Sequence, residues 1–190
     1  MGAVSGGELR EGAAGRAKHV FYYDLASPAA YLAAERVNHA LGEVPEWIPI
    51  RSEVGPFRCA EEIQAYREDL ERVALVQGVQ PLRWPEPFPA DSEWAMLAAT
   101  YAKQIGRAVA FSLAAFRQAF AAGRDLGERD TVLLAAAACE MHPAAVIKGA
   151  ELRGTRARLE AAEAQAAAAG VREVPALVTA AGDVIAVPAA

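Results

Sequence analysis

Strand signals occur at only two places in this chain, and those places lie toward its two ends. Residues 19–23 (HVFYY) and 47–51 (WIPIR) are short runs of β-branched and aromatic side chains; residues 174–178 (VPALV) and 184–187 (VIAV) are two more. Between residues 51 and 174 no strand signal appears. Any sheet must therefore be assembled from both ends of the sequence, with the intervening chain folded as a helical excursion. The first run leads into Asp24-Leu25-Ala26-Ser27-Pro28, a turn followed by a helix start. Serine suits the N-cap and proline the first helical position. Tyr31, Ala34, Val37 and Leu41 recur at helical spacing and Gly42 closes the run, which predicts one helix to about residue 41. Pro49 predicts an edge or irregular position for the second strand.

The middle of the chain reads as helices. Ile63, Tyr66, Leu70 and Val73 mark one face of a helix over 59–78, with charged residues opposite. A proline-rich loop, PLRWPEPFP, follows at 81–89. Further helices are expected over 91–105 and 108–122, from an Asp130 cap to about Glu140, from Pro143, and over the alanine-rich 153–169, which Gly170 stops. The last two strand runs flank Ala181-Gly182-Asp183 and read as a β-hairpin. The order β-α-β, helices, β-hairpin predicts an α/β chain. Residues 18–55 and 171–190 would form the sheet domain and 56–170 a helical insertion. Residues 1–17, small, polar and glycine-rich, read as a flexible extension.

Composition narrows the function classes. The 190 residues carry a net charge of −5, which argues against a nucleic-acid groove or an anionic membrane surface. No apolar run approaches the roughly 18 residues of a membrane span, and residues 1–17 contain no signal-peptide core. Cys59 and Cys139 form no CxxC or zinc-type pair. Both are expected to pack as small apolar side chains in a chain suited to a reducing cytoplasm. His19, His39 and His142 show no metal-ligand spacing.

The stretch "YYDLASPAAYLAAERV" resembles the opening of the 2-hydroxychromene-2-carboxylate isomerases and the kappa-class glutathione transferases. Their signature is an aromatic strand followed by D-x-x-S-P-x-x-Y-L, matched here by Asp24, Ser27, Pro28, Tyr31 and Leu32. "FRQAFAAGRDLGERDTVL" and "ARLEAAEAQAAAAGVREVPALV" are similar to later segments of the same family. The resemblance covers about residues 18–187 and implies a DsbA-like thioredoxin fold with a large all-helical insertion. It implies glutathione as thiol co-substrate, with Ser27 the central catalytic residue whose hydroxyl bonds the glutathione sulfur. It further implies a cis Val174–Pro175 bond, the backbone of Val174 pairing with the tripeptide, and a homodimer acting on small aromatic compounds. Ser27 stands where disulfide oxidoreductases of this fold carry a cysteine, so it cannot take part in thiol–disulfide exchange.

Three departures accompany the resemblance. Glu173 stands where the family has glycine. The loop "RSEVGPFRCAEE" lacks the family's glutathione-holding asparagine. The family's closing segment, which grips the γ-glutamyl group, has no counterpart in "GDVIAVPAA". A non-catalytic binding or scaffold protein of the same fold is therefore the alternative expectation. Trp84, Phe88 and Trp94 are candidates for a substrate-pocket wall, and Asp24 for a turn-former. Ala176, Val178, Ile185 and Val187 are expected to form one uncovered apolar face of the hairpin.

Overall fold

The structure, a computed structural model, describes residues 18–187; the expected N-terminal extension over 1–17 lies outside the described residues. The elements run β1 (Val20–Tyr23), α1 (Pro28–Ala34), α2 (Val37–Leu41) and β2 (Glu46–Pro49). Helices α3 (Ala60–Val76), α4 (Glu93–Gln104) and α5 (Ala108–Phe116) come next, with α5 running into a π-helical turn at Arg117–Ala121. Then come α6 (Arg129–Ala137), α7 (Pro143–Ala150), α8 (Arg153–Ala168), β3 (Ala176–Val178) and β4 (Val184–Ala186). The sheet has the order β2-β1-β3-β4; β1 and β2 are parallel, and the other two pairs antiparallel. β2 is thus an edge strand, where the missing N–H of Pro49 costs no ladder bond.

β1 lies in the centre, and both of its faces are covered, which is why it reads as an unbroken apolar run. Phe21 and Tyr23 point to one face and form an aromatic cluster with Trp47 of β2, the ring centroids 5.0 and 5.5 Å from the indole. Tyr31, Phe116 and Phe120 extend this cluster into the helices. The buried Tyr23 hydroxyl meets Ser112 Oγ of α5 at 2.6 Å, so its polar end is satisfied. On the other face Tyr22, Ile48, Ile50 and Ala176 pack against Ala166 of α8 and against Val171. α7 lies close on α4, because a side chain at Gly149 would overlap the ring of Tyr101.

Two local expectations need correction. The single helix to residue 41 is two: α1 ends at Ala34, and Arg36 N–H bonds Ala33 O at 3.1 Å in a tightened turn before α2. At that break Glu35 is held by a two-point ion pair with Arg117, at 2.7 and 2.8 Å. Gly42 does close α2, at φ 67°. Asp130 is not a cap; Glu128 occupies that position and Asp130 lies in the first turn, where a carboxylate still favours the helix end.

The hairpin faces also differ from the expected grouping. The register pairs Leu177 with Ile185 and Val178 with Val184. Ala176 and Val178 therefore share one face and pack into the cluster under α8, whereas Leu177, Ile185 and Val187 share the other. A hairpin offset, which the sequence runs alone do not supply, decides the grouping. On that second face a cavity of about 230 Å3 lies between Leu177, Ile185 and Val187 and the α1–α2 residues Leu32, Val37 and Leu41.

Candidate functional site

The C-terminal end of β1 gathers the candidate site residues. α1 starts there, capped by Ser27, whose Oγ accepts the N–H of Ala30 at 3.2 Å. Tyr22 is opposite Ala176 in the antiparallel register, so the chain enters β3 beside this same end. The peptide bond at that entry, Val174–Pro175, is cis, and both residues are partly buried. β2 leaves the sheet here too, with Ile50 N–H on Tyr23 O at 3.0 Å. Ser27, Val174 and Pro175, widely separated in sequence, thus belong to one sheet end. Ser27 itself is only 3% exposed.

Asp24 holds this end together. Its side chain is 1% exposed and accepts three hydrogen bonds from three segments. Ala26 N–H lies 2.8 Å from Oδ1, within the turn. Ser52 N–H lies 2.7 Å from Oδ2, from the loop after β2. Ser92 Oγ lies 3.0 Å from Oδ1, at the start of α4. Burial pushes the Asp24 carboxyl above the usual carboxylate range, and the three donors pull against that shift. The turn-former reading is correct for the Ala26 bond. The bonds to Ser52 and Ser92 carry no local sequence signal, because they span 28 and 68 residues. A further anchor is Met96 of α4, whose Sδ accepts Leu25 N–H at 3.3 Å.

Beside the turn lies a cavity of about 270 Å3. Ala26 forms part of its wall, the loop after β2 contributes Ser52, Glu53, Val54 and Pro56, and the segment before α4 contributes Pro89 and Ser92. The three aromatics expected in a pocket wall do not line it. Trp84 and Phe88 meet edge to face at 5.1 Å, and the guanidinium of Arg67 sits 5.1 and 5.0 Å from their rings. Trp94 lies elsewhere, against Arg129 at 5.1 Å.

The cysteines divide. Cys139 is buried, and burial raises its thiol, with Arg107 acting in the other direction. Cys59 is exposed at the start of α3, contrary to the expectation that it packs as a filler, because a cap position leaves its side chain outside the helix face. Among the described residues no group of His, Cys, Asp and Glu has the arrangement of a metal site. No helix among them is long and apolar enough to cross a membrane.

Residues 20–189 match the model of a family described as a DSBA-like thioredoxin domain. The chain is similar in structure to a 2-hydroxychromene-2-carboxylate isomerase, with a TM-score of 0.77, 19% identity, and coverage of 88% of this chain and 87% of that one. It is also similar to a probable DsbA oxidoreductase from Streptomyces coelicolor, with a TM-score of 0.70, 21% identity, and coverage of 88% and 82%. A third similar structure is the cytosolic disulfide reductase DsbM from Pseudomonas aeruginosa with glutathione, with a TM-score of 0.62, 17% identity, and coverage of 84% of each chain. At such identities the likeness concerns the fold. A comparison with curated protein sequences finds no match.

Proposed function

The chain belongs to the DSBA-like thioredoxin family, and we propose that it is a glutathione-dependent isomerase or transferase of small aromatic compounds. The observation that carries this reading is the identity of the residue heading α1. Ser27 occupies that position, at the same sheet end as a cis Val174–Pro175 bond, and the chain contains no CxxC. A hydroxyl there has no redox chemistry but can donate a hydrogen bond to a bound thiolate, favouring it over the thiol. Ser27 Oγ accepts from Ala30, which leaves its own proton for that purpose. The isomerase among the similar structures supports the same choice, and the disulfide reductase described with glutathione supports a glutathione site on this fold but not the isomerase chemistry.

In the isomerase form of this reading, the glutathione sulfur adds to an activated double bond of the substrate. A C–S bond forms and the π electrons move onto the conjugated carbonyl. Rotation about the new single bond follows, and elimination expels the thiolate and restores the double bond. Electrons balance with no oxidant. The cleft beside Ala26 would take part of the tripeptide, and the backbone of Val174, at the entry to β3 and outside that cleft's wall, would pair with its cysteinyl part. The reading carries with it a reducing cytoplasm as the source of the thiol.

The test is the glutathione-dependent cis–trans isomerisation of a small aromatic substrate with a conjugated double bond. Ser27→Ala should lower the rate roughly 10- to 100-fold, the worth of a hydrogen bond to a charged group. Equal rates with and without glutathione, or in the variant, would contradict the reading. The burial of Ser27 and the bond from Ala30 favour a second reading, a non-catalytic binding or scaffold protein of the same fold. Thermal unfolding separates the two: glutathione at 100 times its Kd adds about 2.7 kcal/mol if it binds and nothing if it does not.

A further inference from the structure

Ser92 departs from the local rule for its position. It stands at the N-cap of α4, where a serine oxygen ordinarily accepts an N–H of its own helix. It makes no such bond. The side chain of Asp91 takes Glu93 N–H instead, at 2.9 Å, and Ser92 Oγ reaches out of the helix to Asp24. The direction of that bond follows from the other partners of Asp24. Each carboxylate oxygen already receives a backbone N–H, Ala26 on Oδ1 and Ser52 on Oδ2, so the carboxylate is the acceptor and the Ser92 proton points at it. A hydroxyl has one proton and two acceptor sites. With the proton directed to Asp24, the oxygen of Ser92 can only accept, and donation to a carboxylate strengthens it as an acceptor. Ser92 is partly exposed and lines the cavity beside Ala26.

We propose that Ser92 is a ligand-binding residue of this cleft, its oxygen accepting a hydrogen bond from an N–H of the bound molecule. The wall then selects amide or ammonium donors over carboxylates, and Glu53 on the same wall acts in the same sense by favouring the ammonium end of a ligand over its carboxylate ends. Asp24 is the positioning residue behind it, fixing which way the hydroxyl faces. The assignment rests on the glutathione reading, because glutathione offers two amide N–H groups and an ammonium to such an acceptor.

Isothermal titration of the full chain with glutathione tests it, using wild type, Ser92→Ala, Ser92→Thr and Ser92→Cys. Ser92→Ala should raise Kd about tenfold, the worth of one well-made hydrogen bond left unpaired on the ligand. Ser92→Thr, which keeps the hydroxyl, should stay within about twofold of wild type. Ser92→Cys keeps the size but offers a weaker acceptor; it should lose most of what Ser92→Ala loses, and it carries the test should the alanine variant fail to fold. A wild-type Kd in both Ser92→Ala and Ser92→Cys would overturn the acceptor role and leave the glutathione reading standing. A threonine variant as weak as the alanine variant would overturn it too. A wild type that does not bind glutathione would overturn the reading and the assignment together.

Discussion

The two edge strands of the sheet are both short, yet their surroundings are opposite. β2 is enclosed: Trp47 is 2% exposed, and the strand is flanked by α4 and α8, with Lys103 on Glu46 at 2.7 Å and Arg51 on Glu163 at 2.6 Å. On β4, Val184 and Ile185 are 42% and 46% exposed. The helices between β2 and β3 cover the first edge and leave the second bare. The candidate site lies between these extremes, at the end of β1, where buried polar contacts rather than apolar packing join the segments.

Four substitutions probe that contrast, each read by chemical denaturation. Trp47→Ala should cost most, about 3–5 kcal/mol, because it empties the aromatic cluster of the covered half. Asp24→Ala should follow at roughly 2–4 kcal/mol, because it strands one buried and two partly buried donors from three segments. A value near zero for Asp24→Ala would show that the segments at the site end are held by something else. Leu177 and Ile185 face each other across β3 and β4, but Leu177 is 7% exposed. Leu177→Ala should cost about 2–3 kcal/mol and Ile185→Ala less than about 1. Equal losses would mean that β4 is covered in solution.

The smallest effect concerns pH. The hydrogen bonds from Arg51 hold the Glu163 carboxyl below its usual range, with burial opposing. A depressed folded pKa contributes stability that is present above the unfolded value, near 4.3, and is lost as pH falls through the folded one. The pair is partly exposed, so the contribution is at most about 1 kcal/mol. Glu163→Gln should flatten the acid limb of the stability curve by that amount, and an unchanged acid limb would remove the pair from the account.

The sequence was most legible where the rule is local. Ser27-Pro28 announced a helix start, Gly42 a helix end, and the two strand runs around Ala181-Gly182 a hairpin, because capping and turn chemistry depend on neighbouring residues. The family motif extended this to the Val174–Pro175 bond. The Asp24 bonds to Ser52 and Ser92 could not be read, since they join segments that only the fold brings together. The faces of the hairpin are not legible for a related reason: register follows from pairing, not from the apolar runs. Trp94 is aromatic and near Trp84 and Phe88 in sequence, but it stands on α4 and meets Arg129 instead.

The central claim is that Ser27 stabilises the thiolate of bound glutathione. Ultraviolet titration of the thiolate absorbance in the complex tests it most directly, with wild type beside Ser27→Ala. The account expects the bound thiol in wild type to titrate at least one pH unit below that of free glutathione, the shift that corresponds to about 1.4 kcal/mol, and expects Ser27→Ala to return it toward the free value. A bound thiol that titrates as it does free in solution, or equally low in both proteins, would contradict the account.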